Sequence, residues 1–281
     1  MQALTSGYGL IEGPVWDPAR GLLFSDVMNG GVRALQANGD VTEVVPKRRG
    51  VGGMALHANG GLVLGGRDVI MQPADGAIAT TLLTSEVTDL AIGFNDLTTD
   101  EAGRIWVGSL GFRVFAGDPM RPGHLHVIDT DGSSEIVADD VTLTNGLGFS
   151  PDASTLYHSD SRRNTVRAYQ LEDATTLSPW RAFATIDGGI PDGLAVAEDG
   201  SVWVAIADGG RVAVFNPDGS LRQNIPVPLP MVTSVCFGGE DLRDLYIVTG
   251  SRDGPHDNCG SIYRMRVDVP GLPVPLARVM A

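Results

Sequence analysis

A chain of 281 residues, 43% of them apolar, can bury a large core, either as one sizeable β unit or as two smaller ones. Its 37 glycines and 17 prolines fall at regular intervals between apolar runs, which is the distribution of a turn-rich all-β protein and excludes disorder. A net charge of −14 repels phosphate backbones and argues against nucleic acid as a partner, and no apolar run reaches the ~20 residues of a membrane span.

The two cysteines, Cys236 and Cys259, lie in no CxxC spacing, so neither a disulfide scaffold nor a thiolate metal cluster is expected. The opening MQALTSGYGLIEG lacks a basic segment followed by an apolar one. It does not read as a signal peptide, and a cytoplasmic protein is the expectation.

Taken in chain order, the strand signals recur as a unit. A turn is followed each time by an apolar or aromatic pair: Leu23-Phe24, Val63-Leu64, Ile105-Trp106, Leu156-Tyr157, Val202-Trp203 and Leu245-Tyr246. The second members of these pairs are 40, 42, 51, 46 and 43 residues apart. A further short strand follows each pair, beginning at Val32, Val69, His124, Val166, Val212 and Ser261. The clearest copy begins at Pro191, PDGLAVAEDGSVWVA. A short apolar strand, an Asp-Gly turn and a β-branched aromatic strand succeed one another there, and RVAVFNPDG continues the meander.

A period of 40 to 51 residues with three or four strands per unit predicts β-propeller blades, and six copies predict a six-bladed propeller spanning residues 1–281 as a single domain. The longer third and fourth units place extended loops, expected at the top of the ring, near Phe112–Gly123 and Asp173–Pro179. Ring closure needs a terminal strand, either Gln2–Ser6 or Val274–Val279.

The first strand of each propeller blade lines the central channel, so residues at its start meet at one mouth. Reading back from the aromatic anchors gives Glu12, Gly52, Asn95, Asn145, Asp192 and Thr233. Two carboxylates and two amides converging there are costly without a counter-ion. A divalent cation relieves that cost. The all-oxygen donor set suits Ca²⁺ first, with Mg²⁺ and Mn²⁺ as alternatives and Zn²⁺ still open.

Six motifs in order then resemble the family of senescence marker protein 30, gluconolactonase and luciferin-regenerating enzyme over nearly the whole chain. They are EGPVW at Glu12, FND at Phe94 followed by DEAGRIWVGS, TNGLGFSPD at Thr144, PDGLAVAEDGSVWVA at Pro191, GGRVAVFNPDG, and CFGGEDLRDLYIVTGSRDG from Cys236. The resemblance implies a six-bladed propeller with one divalent cation at the channel mouth. Glu12, Asn145 and Asp192 are its implied metal ligands, Asn95 an implied substrate contact and catalytic residue, and Asp192 the implied general base. It implies a metal-dependent lactonase acting on a small molecule, with the metal polarising the carbonyl and Asp192 activating water.

Two positions depart from the pattern. Gly93 stands where sugar-lactone members often carry Arg, and Leu97 where they often carry Gly. The first weakens the expectation of an aldonolactone, because the Arg holds sugar hydroxyls by charged hydrogen bonds. Arg113 and Arg252 are candidate replacements, although surface ion pairs are the plainer reading of both. His158 and Asp160 read as structural, His256 as a loop residue, and Trp16, Trp106 and Trp203 as packing residues of the blades. The competing readings are an organophosphate hydrolase or other metal-assisted reaction at the same site, and a non-catalytic ligand-binding propeller.

Overall fold

The computed structural model describes residues 1–85, 91–114 and 116–280. A first strand, β1 (Gln2–Tyr8), precedes five four-stranded meanders. These are β2 (Ile11–Asp17), β3 (Gly21–Asp26), β4 (Val32–Leu35) and β5 (Val41–Val45); then β6 (Met54–Leu56), β7 (Leu62–Leu64), β8 (Asp68–Gln72) and β9 (Thr80–Thr84); then β10 (Gly93–Thr99), β11 (Ile105–Leu110), β12 (Gly123–Ile128) and β13 (Ser134–Val141). The fourth holds β14 (Thr144–Phe149), β15 (Thr155–Asp160), β16 (Thr165–Gln170) and β17 (Arg181–Thr185), and the fifth β18 (Ile190–Val196), β19 (Val202–Ala207), β20 (Arg211–Phe215) and β21 (Leu221–Pro226). The chain ends its regular structure with β22 (Val232–Gly238), β23 (Asp244–Thr249) and β24 (Gly260–Arg266).

Each group pairs antiparallel in sequence order, and the last sheet is completed from the other terminus, in the order β1-β24-β23-β22. The innermost strands β2, β6, β10, β14, β18 and β22 each touch the next around the axis, and β22 returns to β2. The fold is therefore the expected all-β six-bladed propeller.

Gln2–Tyr8 makes the closure, running against β24 from Gln2 opposite Arg264 to Tyr8 opposite Gly260. Tyr8 also packs edge-on against Phe24 of the first blade, with ring centres 5.3 Å apart. Val274–Val279 does different work. After β24 the chain crosses the channel end opposite Glu12. Leu272 N donates to Val196 O (2.9 Å), Ala277 N to Leu56 O (2.9 Å) and Met280 N to Thr130 O (2.8 Å), which ties the tail to the fifth, second and third blades.

Six apolar clusters fill the six seams between neighbouring blades. The six anchors Phe24, Leu64, Trp106, Tyr157, Trp203 and Tyr246 are all buried. Trp106 is fully enclosed and donates its indole N–H to Asp100 Oδ2 (2.9 Å). Trp16 is half-buried and packs in the seam between the sixth and first blades, stacked on Tyr246 at 5.6 Å, with an edge on the channel.

Strand direction sorts the loops into two faces. Inner strands start at the face carrying Glu12, so the β11–β12 connection around Phe112–Gly123 lies on that face. The stretch Asp173–Pro179 joins β16 to β17 and lies on the opposite face, contrary to the expectation of a top loop. The meander period alone does not tell a third-to-fourth-strand loop from a second-to-third one.

Removing residues 1–8 leaves β24 as a bare edge and uncovers Phe24. The truncated chain is expected to melt about 10 °C or more below the parent by circular dichroism, given about 2–4 °C per kcal/mol for a domain of this size.

Candidate functional site at the channel mouth

Five of the six inner strands carry a one-residue bulge near their start. The register slips between Glu12 and Val15, Phe94 and Leu97, Thr144 and Leu147, Pro191 and Leu194, and Val232 and Ser234. A bulge interrupts alternation and re-aims the residue inside it. Asn95, Asn145, Asp192 and Thr233 sit within such slips and Glu12 at the edge of one. Local backbone irregularity therefore gathers residues remote in sequence at one mouth.

The amides form a directed chain. Asn95 Nδ2 donates to Asn145 Oδ1 (2.6 Å) and to Thr144 O (2.8 Å). Asn145 Nδ2 donates to Ser161 Oγ (2.7 Å), whose hydroxyl donates to Pro191 O (2.6 Å) beside Asp192. Both carbonyl acceptors fix the amide orientations without ambiguity. Asn95 keeps only its oxygen for other work, and that oxygen lies over Gly52, where a Cβ would overlap it. Gly52 thus belongs to the mouth as the space Asn95 occupies. Thr233 lies at the same level, but its hydroxyl is spent on Ile11 O (2.6 Å), stitching the sixth blade to the first.

Three carboxylates feel one another here. Burial, then the charges of Asp192 and Asp96, holds the Glu12 carboxyl well above the usual range. Burial, then Asp96, does the same to Asp192, while Arg252 opposes the shift. Burial pushes Asp96 up to about 7. Sequence reading missed Asp96, although it follows Asn95 directly, because neighbours in a regular strand face opposite ways; the bulge removes that rule. Ser161 carried no sequence signal, since it comes from the turn after β15.

The cation acting on Asp192 is Arg252, whose Nε and Nη2 donate to Asp208 Oδ1 (3.2 and 2.6 Å). Arg113 is bound to Asp118 in an exposed pair. At Gly93 a Cβ would meet Gly66 O at 3.0 Å, beside the Phe94 N to Gly66 O hydrogen bond, so a side chain there needs a small shift of the neighbouring backbone. Leu97 packs into the seam between the second and third blades.

His158 and Asp160 are fully buried behind the mouth. Asp160 pairs with the equally buried Arg167 and accepts from Thr142 N (3.2 Å) and Leu143 N (3.1 Å). His158 Nε2 meets Thr144 Oγ1 at 2.7 Å, and burial holds its imidazole neutral, down to about 3. The set fixes the segment whose carbonyl receives Asn95. His256 is exposed in the β23–β24 loop.

Among the described residues, no group of three or more His, Cys, Asp or Glu side chains is arranged to hold a metal ion. The donor set at the mouth is instead two carboxylates and an amide oxygen, which is the chemistry of a hard cation. Burial raises all three carboxyls, and a positive charge among them would favour their ionised forms.

A six-bladed propeller with oxygen donors around one mouth defines a class of protein, and residues 10–251 match the "SMP-30/Gluconolactonase/LRE-like region". The chain belongs to that family. It is 33% identical over 279 residues to the 6-deoxy-6-sulfogluconolactonase of Pseudomonas putida, covering 94% of each chain, and 29% identical over 277 residues to pentonolactonase XacC of Haloferax volcanii, covering 93% of this chain and 92% of that one. It superimposes on a luciferin-regenerating enzyme with a TM-score of 0.87 at 25% identity, covering 98% of this chain and 97% of that one.

Asp96→Asn keeps an acceptor for Leu97 N and deletes a buried charge. The folded carboxyl retains its proton to about pH 7, whereas an unfolded one releases it near 4. The stability tied to that proton is therefore complete below about pH 4 and lost as pH rises through 7. In chelator, the variant is expected to melt with the parent at low pH and above it by a margin that grows to a plateau beyond pH 7, measured by calorimetry across that range.

Proposed function

We propose that the protein is a divalent-metal-dependent lactonase that opens a cyclic ester of a polyhydroxylated acid at the channel mouth. The observation that carries the reading is the joining of Glu12, Asn145 and Asp192 to one buried acidic mouth whose amides are already oriented. The names of two relatives, a sulfogluconolactonase and a pentonolactonase, support a sugar lactone.

Glu12, Asn145 and Asp192 would hold the cation, Ca²⁺ by first choice for an all-oxygen set. When bound, the cation supplies Lewis acidity toward a carbonyl oxygen and positive charge against the three carboxylates. In the reaction, water oxygen adds to the lactone carbonyl carbon and the ring C–O bond breaks. The proton taken by Asp192 passes to the departing alkoxide, leaving a hydroxy acid.

Asn95 would serve as the substrate contact through its side-chain oxygen. Both of its N–H groups are occupied, so it offers an acceptor and positions a hydroxyl or the attacking water. Arg252, beside Asp192, takes the place of the Arg absent at Gly93 and donates to a substrate oxygen.

A pH-indicator assay over a panel of lactones, with and without chelator, tests the reading. Turnover is expected on at least one sugar lactone and is expected to vanish with chelator. No lactone turned over at any metal loading, with melting still raised by Ca²⁺, would instead point to a ligand-binding propeller. Asp192→Asn is expected to lower kcat/KM by about 10³-fold, the scale of a lost general base, while melting no lower than the parent. Arg252→Ala is expected to raise KM about 10-fold and leave kcat nearly unchanged, the loss of one charge-assisted hydrogen bond made equally in ground and transition states.

A further inference from the structure

Beneath the mouth, the channel widens into a cavity of about 640 Å³. Its walls start one residue past the mouth, at Gly13, Asp96 and Gly146, and contain none of Glu12, Asn95, Asn145 or Asp192. It lies on the far side of the acidic ring and shares Asp96 with it. Below Asp96 the walls are Leu56, Leu97, Leu147, Ala195 and Cys236, with Leu272 of the C-terminal tail at the floor.

The space results from two sequence choices. Gly148, Ala195 and Cys236 put small groups on three inner strands where the opposing strand carries Trp16. The tail, hydrogen-bonded to three blades and held by Thr99 Oγ1 on Pro275 O, crosses the end that is an open hole in a bare ring of blades. The result is a chamber with a polar rim at the top and an apolar floor.

We propose that this chamber is a second ligand site, for a neutral, mostly apolar small molecule of about two fused or linked rings. The volume lies within the roughly 300–1,000 Å³ of small-molecule pockets. Ordered water needs two to four polar partners each, and the walls offer few: the hydroxyls of Thr98 and Ser234, with Asp96 at the upper end and Glu240 at the lower. Both titratable groups are acidic and the protein as a whole carries a net charge of −14, so an anionic ligand is disfavoured. Apolar surface without hydrogen-bonding capacity favours an apolar occupant. The Cys236 thiol, held protonated by burial, adds a soft apolar contact and no charge.

The test uses the full-length protein and the neutral fluorophore N-phenyl-1-naphthylamine, titrated at neutral pH with chelator and again with saturating Ca²⁺. Saturable one-to-one fluorescence enhancement is expected, with the same affinity in both arms because the chamber excludes the cation donors. Ala195→Phe and, on a different strand, Cys236→Met are each expected to weaken binding at least about 10-fold while the Ca²⁺-dependent rise in melting temperature persists. Crystals of the parent grown with the probe are expected to show it between Asp96 and Leu272. No saturable binding, unaltered affinity in either folded variant, or density elsewhere than in the chamber would overturn the proposal. Lactone turnover is independent of all three readouts, so failure here leaves the proposed hydrolase intact.

Discussion

At the mouth, the starts of the six inner strands leave almost no room, and that crowding governs the site above the channel. A Cβ on Gly13 would stand 2.9 Å from Gly52 O of the next blade, one on Gly53 would stand 2.6 Å from Leu97 N, and one on Gly193 would run into Ser234. Thr233, bonded to Ile11 O, closes the same circle between the last blade and the first. Such approach is possible only where side chains are missing. Three of the bulges accompany it: with glycine directly after Glu12, Asn145 and Asp192, the backbone takes up an extra residue beside each.

Much of this was legible in the chain. The anchors Phe24, Leu64, Trp106, Tyr157, Trp203 and Tyr246 are large, apolar and regularly spaced, so burial and period speak together; they gave six blades and, by counting back, the residues of the mouth. What escaped was whatever depends on local departure from the strand rule. Asp96 was passed over because strict alternation turns it away from Asn95. Counting gave Thr233 its level in the ring but could not show that its hydroxyl is used by a neighbouring blade. The choice between Gln2–Tyr8 and the C-terminal tail for closure turned on pairing across more than 250 residues, which no local pattern encodes. The tail's role as a floor was invisible for the same reason: PGLPVPLARVM reads as an irregular end until the blades it crosses are in place.

The fourth blade shows how a buried ion pair serves geometry more than stability. Asp160 and Arg167 are both without solvent contact, an arrangement whose desolvation cost roughly cancels its attraction. Its return lies in what Asp160 also binds, the amides of Thr142 and Leu143, and in what His158 binds, the hydroxyl of Thr144. Three consecutive residues are pinned from behind, so the Thr144 carbonyl is rigid when Asn95 reaches it. A directional charge pair restricts its neighbours' positions more than an apolar patch of equal volume does, although Arg167 Nε and His158 Nδ1 have no hydrogen-bond partner.

The mouth is organised on the opposite principle. Glu12, Asp96 and Asp192 are buried without a neutralising partner of comparable depth; the Arg252 guanidinium that acts on Asp192 is itself tied to Asp208 and partly exposed. Blade packing alone has no use for such a cluster, since each carboxyl resists ionisation and each raises its neighbours. The apolar seams and the pinned fourth blade supply the rigidity that lets the cluster persist, and a rigid acidic frame of this kind stabilises any positive charge placed within it. Stability and function are in this way divided between regions: the seams hold the ring together, and the ring holds three carboxylates where they would not otherwise stay.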